Sequence, residues 1–210
     1  MDAETRTATP DLGPVTHRVA GLLDGITDDL LDAPTPCPGY SVRDLLGHVA
    51  GLAVAFRDAA RKELGPSTDT PPEAARPVLD GDWRTTLPLR LDELASAWRA
   101  PDAWQGMTQA GGISLPGQVA GAVALDEVLI HGWDLARATG QAYDADEASL
   151  RVSYELLAPA ADDPGSGGMF GPPVPVPDDA PLLDRVIGLS GRHPRWRAGA
   201  REGGGGSETG

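Results

Sequence analysis

Residues 126–140 read DEVLIHGWDLARATG, and within them Glu127, His131 and Asp134 share one stripe of a helix. At about 100° per residue, with Glu127 set at zero, His131 falls at roughly 40° and Asp134 at roughly −20°. A carboxylate and an imidazole at i and i+4 stand on successive turns, about 6 Å apart along the axis, and can converge on one cation. Both donor types bind zinc at about 2.0–2.2 Å. Leu125, Val128, Leu129, Ile130, Trp133 and Leu135 cover most other directions, so this helix is central and its charged stripe faces the interior. Ionisable groups in such a place are costly unless they are paired or bind a metal.

A third donor separates a metal site from a solvated pair. The chain has four histidines, His17, His48, His131 and His193. His193, in GRHPRW near the tail, and His17, early in the first helical pattern, are expected to face water. His48, in LLGHVAGL, shares the stripe of Leu45, Leu52 and Phe56 and points inward; Gly47, Ala50 and Gly51 leave room for a close approach. It reads either as a core histidine bonded to a backbone carbonyl or as the third member of a His/Glu/His set on facing helices. Asp134, one turn beyond His131, is placed to orient that imidazole, or else to pair with an arginine. Arg137 and Arg43 read as part of a solvated helix face or as candidates for binding a carboxylate of substrate or thiol. Trp133 reads as core or pocket wall, and Cys37, in PTPCPGY, as a small half-buried apolar residue.

The elements that must position these residues are helices. Leu12 to Leu31 shows helical spacing, and a second helix is expected from Ser41 to about Leu64, with Ser41 and Asp44 as a capping box and Tyr40 and Leu45 as a staple. A proline-rich loop leads to a third over Trp83–Trp98. The glycine cluster QAGGISLPG leads to the fourth, about Pro116 to Thr139, closed by Gly140. Shorter helices are expected from Asp144 to about Leu157 and over PLLDRVIGL. No segment reads as a strand in a hairpin. The pattern predicts an all-α protein, a four-helix bundle with extra short helices. Residues 1–11 read as a flexible N-terminus, 12–197 as one helical domain and 198–210, a Gly-rich run, as a disordered tail. The sequence does not fix where the Pro/Gly-rich segment 163–177 lies, and the mouth of the bundle is one place open to it.

Composition narrows the partners. With 17 basic and 31 acidic residues the formal charge is −14, which argues against nucleic acid or an anionic membrane as the main partner. There is no apolar run long enough to span a bilayer and no basic-then-apolar leader, and a single cysteine fits a reducing cytoplasm.

PTPCPGYSVRDLLGHVAGL together with DEVLIHGWDLARATG resembles the N-terminal metal-binding domain of mycothiol-dependent maleylpyruvate isomerases, within the DinB-like superfamily. FGPPVPVPDDAPLLDRVIGLSGR is similar to a single-domain actinobacterial branch of it, and the resemblance spans about residues 12–195. It implies a DinB-type four-helix bundle holding a divalent metal, usually zinc, on His48, Glu127 and His131. The isomerase carries a further C-terminal domain, which this chain, ending in a glycine tail soon after Trp196, is expected to lack.

Three protein ligands leave a tetrahedral metal one open position, the arrangement of a catalytic site. A thiol there is deprotonated at neutral pH. Its thiolate can add to a conjugated double bond, allow rotation and leave, or displace a leaving group. The expected function is therefore a mycothiol-dependent S-transferase or isomerase in the cytoplasm, acting on a small molecule as a monomer or homodimer. The alternatives are a metal-dependent hydrolase or cyclase on a small metabolite, and a non-catalytic metal- or ligand-binding protein.

Overall fold

Capping and breaker residues decide where each helix of this chain starts and stops. The computed structural model describes residues 9–71, 78–161 and 171–198. The first helix, α1 (Gly13–Leu23), carries Pro14 in its first turn and buries Val15, Val19, Leu22 and Leu23. It stops well short of Leu31. The Gln141 side-chain amide donates to the Leu22 carbonyl at 3.0 Å, and Gly25 leaves space where a Cβ would lie 2.5 Å from that amide's oxygen. Thr27 is extended, and only a short 3-10 turn at Asp28–Leu30 follows.

The expected capping box opens α2 (Val42–Arg61): Ser41 Oγ accepts from Asp44 N–H at 3.2 Å and Asp44 Oδ2 accepts from Ser41 N–H at 3.0 Å. The helix ends at Lys62, which turns left-handed at φ 60°. Its ammonium donates to the carbonyls of Ala103 and Gln105, each at 3.1 Å, and this tether favours the turn over a run to Leu64. A four-residue helix α3 (Pro66–Asp69) precedes α4 (Trp83–Trp98), which has the predicted bounds.

The all-α expectation needs one correction. β1 (Met107–Ala110) and β2 (Ile113–Pro116) pair antiparallel, with Ala110 opposite Ile113. Gly111 and Gly112 between them have φ of 60° and 77°, the doubly positive combination a two-residue hairpin turn needs. The Thr108 hydroxyl donates to the Ala59 carbonyl at 2.6 Å and fastens the hairpin to α2.

α5 (Gly117–Ala138) follows directly and is buried on nearly all sides, as its sequence predicts. Gly140 takes a positive φ of 71° after it. α6 (Glu147–Ala161) begins three residues later than expected: the cap is Asp146, whose carboxylate accepts from the Ser149 N–H at 3.0 Å. α7 (Leu182–Leu189) is the last helix.

Each of α1 and α2 packs against both α4 and α5, while α6 lies between α5 and α7. Of the Pro/Gly-rich segment 163–177, residues 163–170 lie outside the described residues. Residues 171–177 are seated on α7, where the Val174 N–H donates to the Gly188 carbonyl at 2.8 Å. Most of the expected N-terminal and C-terminal tails also lie outside the described residues. No helix among the described residues is long and apolar enough to cross a membrane.

Candidate metal centre

Two helices bring the polar stripe of α5 against His48 of α2. His131 Nε2 lies 3.1 Å from Glu127 Oε2, and His48 Nε2 lies 3.9 Å from the same oxygen. The two imidazoles stand edge to face, 4.9 Å apart between centroids with planes at 87°. Each of the three side chains offers a ligand atom within 4.8 Å of the other two. The site is closed on the His131 side and slightly open on the other: His131 is 4% exposed, whereas the side chains of His48 and Glu127 are each 13% exposed. Tyr40, just before α2, sets its ring edge-on to His48 at 5.6 Å.

Asp134 completes the arrangement from below. Its carboxylate is fully buried, and Oδ2 lies 3.0 Å from His131 Nδ1. Each nitrogen of His131 therefore faces a carboxylate oxygen, Nδ1 that of Asp134 and Nε2 that of Glu127, and a metal on Nε2 would take the place of the proton there. The sequence left open whether Asp134 would orient His131 or pair with an arginine; it does both. Arg192 donates from Nη2 to Oδ2 at 3.1 Å and from Nε to Oδ1 at 3.4 Å. Sequence reasoning missed this residue. The one signal for it was the need of a buried Asp134 for a cation, and nothing local says which of the arginines answers it.

The electrostatics follow from these contacts. Burial opposes charge on Glu127, but His131 and His48 beside it outweigh that and hold the carboxyl down at about 2. Burial likewise opposes charge on His131, and the bonds to Asp134 and Glu127 lift it to about 9. Two imidazoles and an ionised carboxylate that converge in this way are a fitting donor set for a divalent cation, because His131 keeps Nε2 free of its Asp134 bond.

The remaining candidates fall elsewhere. Arg137 donates to the carbonyls of Pro194 and Trp196, at 3.2 and 3.0 Å, and lies over the ring of Trp133. Trp133 is a core residue, 4% exposed. Arg43 is exposed and lies 3.4 Å from Asp32. His17 and His193 are exposed, as expected. Cys37 is half-buried next to the cluster, with a ligand atom within 4.8 Å of those of His131 and Asp134. Burial pushes its thiol up to about 11, and the positive charge of Arg192 only partly offsets this. Asp126, on another face of α5, is fully buried, and among the described residues neither oxygen has a hydrogen-bond partner. Burial, then the negative charge of Glu127, raises its carboxyl to about 8, with the Ser153 hydroxyl acting in the opposite direction.

Known proteins share this sequence and this architecture. The model of the mycothiol maleylpyruvate isomerase N-terminal domain matches residues 12–136. Two uncharacterised proteins of Mycobacterium tuberculosis, from strains CDC 1551 / Oshkosh and ATCC 25618 / H37Rv, are each 31% identical to it over 187 residues, covering 82% of this chain and 91% of theirs. Among solved structures, a mycothiol-dependent maleylpyruvate isomerase superimposes with a TM-score of 0.60 at 22% identity, over 86% of each chain. A histidine-to-alanine mutant of such an isomerase gives 0.62 at 21% identity over the same shares. The likeness to these structures is one of fold. His48, Glu127, His131 and Asp134 all lie inside the span matched by the family model, and this chain belongs to the mycothiol maleylpyruvate isomerase N-terminal domain family.

Proposed function

We propose that the protein is a divalent-metal enzyme that uses a low-molecular-weight thiol, mycothiol foremost, as an isomerase or S-transferase on a small electrophilic substrate. The observation that carries this reading is the convergence of His48, Glu127 and His131, ligand atoms within 4.8 Å, at a partly open edge of a buried cluster. These three residues would hold the ion, and zinc suits two imidazoles and a carboxylate. When bound, the ion supplies the positive charge that keeps a coordinating thiol deprotonated near neutral pH.

The chain's own residues prepare the place. Glu127 stays ionised throughout the neutral range and sets negative charge where the two imidazoles meet. Asp134 holds the His131 ring with Nε2 toward Glu127. Tyr40 packs edge-on against His48 at the open side. A thiolate delivered there can add to a conjugated double bond, permit rotation about it and leave again, so that the thiol is regenerated. It can equally displace a leaving group. The family name and the mycothiol-dependent isomerases that share the fold support the thiol. The packing of α1, α2, α4 and α5, each against two of the others, is consistent with a DinB-type four-helix bundle. A reduced thiol as co-substrate is in keeping with a cytoplasmic location.

Calorimetric titration with mycothiol tests the reading. Binding to the zinc-loaded protein and none to the metal-stripped protein is expected. No binding to either, or equal binding to both, contradicts it.

A further inference from the structure

Arg192 lies outside the matched family span, beyond α7, yet its side chain reaches the heart of the cluster. It is 5% exposed. Nε and Nη2 fork onto the two oxygens of Asp134, and Nη1 donates to the Ser190 carbonyl at 2.8 Å. The backbone aims it inward. Gly191 adopts a φ of 77°, where a Cβ would sit 2.9 Å from the Gly171 carbonyl oxygen, and the Arg192 N–H closes onto the Ile187 carbonyl at 3.1 Å. A turn needing glycine by both conformation and space therefore delivers one guanidinium to one carboxylate, 58 residues away in sequence.

We propose that Arg192 is a positioning residue of the metal centre: its fork fixes Asp134, and Asp134 in turn fixes the His131 ring so that Nε2 faces Glu127 and His48. The inference rests on the metal-site reading above. Three considerations support it. A planar fork on both carboxylate oxygens sets the plane of the carboxylate, which a point charge does not. The Oδ2 atom that accepts from Arg192 is the one bonded to His131 Nδ1, so any rotation of Asp134 moves both bonds together. Third, Cys37, His131 and Asp134 also bring ligand atoms within 4.8 Å of one another. A guanidinium held against Asp134 keeps a second cation from that side and reserves the Glu127 side for the metal.

The test uses Arg192→Met and Arg192→Lys in the full chain, with two readouts. One is the zinc dissociation constant by chelator competition, with the visible spectrum of the cobalt(II) form. The other is solvent exchange of the His131 Nδ1 ring proton by nitrogen-15-edited NMR, in metal-free and zinc-loaded protein. Arg192→Met with a native far-UV circular dichroism spectrum is expected to bind zinc about 10–100-fold more weakly, with an altered cobalt spectrum and a fast-exchanging ring proton. Arg192→Lys, keeping the charge without the fork, is expected to fall between it and wild type. A folded Arg192→Met with wild-type affinity, spectrum and ring-proton exchange overturns the proposal. Should Arg192→Met not fold, wild-type values for all three in Arg192→Lys overturn it as well. If the wild-type protein takes up no metal, the metal reading fails, and ring-proton exchange in the metal-free variants still decides what Arg192 does.

Discussion

Asp134 joins two side chains, His131 through Nδ1 and Arg192 through both Nε and Nη2. Asp134→Ala would leave a guanidinium buried without its partner, and a loss of about 3–5 kcal/mol is expected in urea denaturation. The titrations make a second prediction. His131 at about 9 lies above its ordinary 6.5, so its stabilisation is full below 6.5 and disappears as pH rises through 9. Asp126 at about 8 lies above its ordinary 3.8, so the folded state is progressively disfavoured as pH rises from 3.8 to 8, a window that overlaps the His131 one between 6.5 and 8. Glu127, depressed from 4.5 to about 2, loses its contribution only as pH falls through 2. The metal-free protein is therefore expected to lose stability steadily between pH 6.5 and 9, and Asp126→Asn to lose less; urea midpoints measured across that range check both. A flat wild-type profile contradicts the account. At this scale the sequence was informative where one helix carries the pattern. Glu127, His131 and Asp134 could be read from helical period alone, whereas Arg192 could not, because a long-range pairing leaves no local periodicity.

The helices were legible where their ends have side-chain chemistry. Ser41 and Asp44 announce α2, and the glycine after α5 announces its end. Legibility failed where a distant group decides the end, as Gln141 does for α1 and the Lys62 tether does for α2. The hairpin is illegible for another reason: its strands are four residues each, and nothing in QAGGISLPG separates a linker from a doubly left-handed turn at Gly111–Gly112. One close contact between elements is open to a direct check. A Cβ on Gly121 of α5 would lie 2.4 Å from the Trp104 ring and 2.8 Å from that of Trp98. Both rings are pinned, Trp98 Nε1 to the Phe56 carbonyl at 3.1 Å and Trp104 Nε1 to the Trp98 carbonyl at 2.7 Å. Gly121→Ala is therefore expected to destabilise by about 1–3 kcal/mol, with a lower melting temperature and altered tryptophan fluorescence. A variant as stable as wild type contradicts the packing described for α5.

For the whole molecule, the candidate metal centre is the point where separate parts of the chain meet. α2 and α5 supply the three candidate ligands, and the segment after α7 supplies Arg192, so the last described residues belong to the same folded unit as the first helices. The chain has a formal charge of −14, which draws cations to its surface without any specific site. Metal content alone is therefore weak evidence, and the comparison with ligand variants decides. The first measurement to make is elemental analysis of the untagged protein after extensive dialysis, beside His48→Ala and Glu127→Ala variants that keep the wild-type circular dichroism spectrum. The account predicts about one zinc-like ion per wild-type chain and loss of it in both variants. A wild-type protein that holds no metal and takes up no added zinc, or variants that retain the ion, would contradict the shared centre of His48, Glu127 and His131.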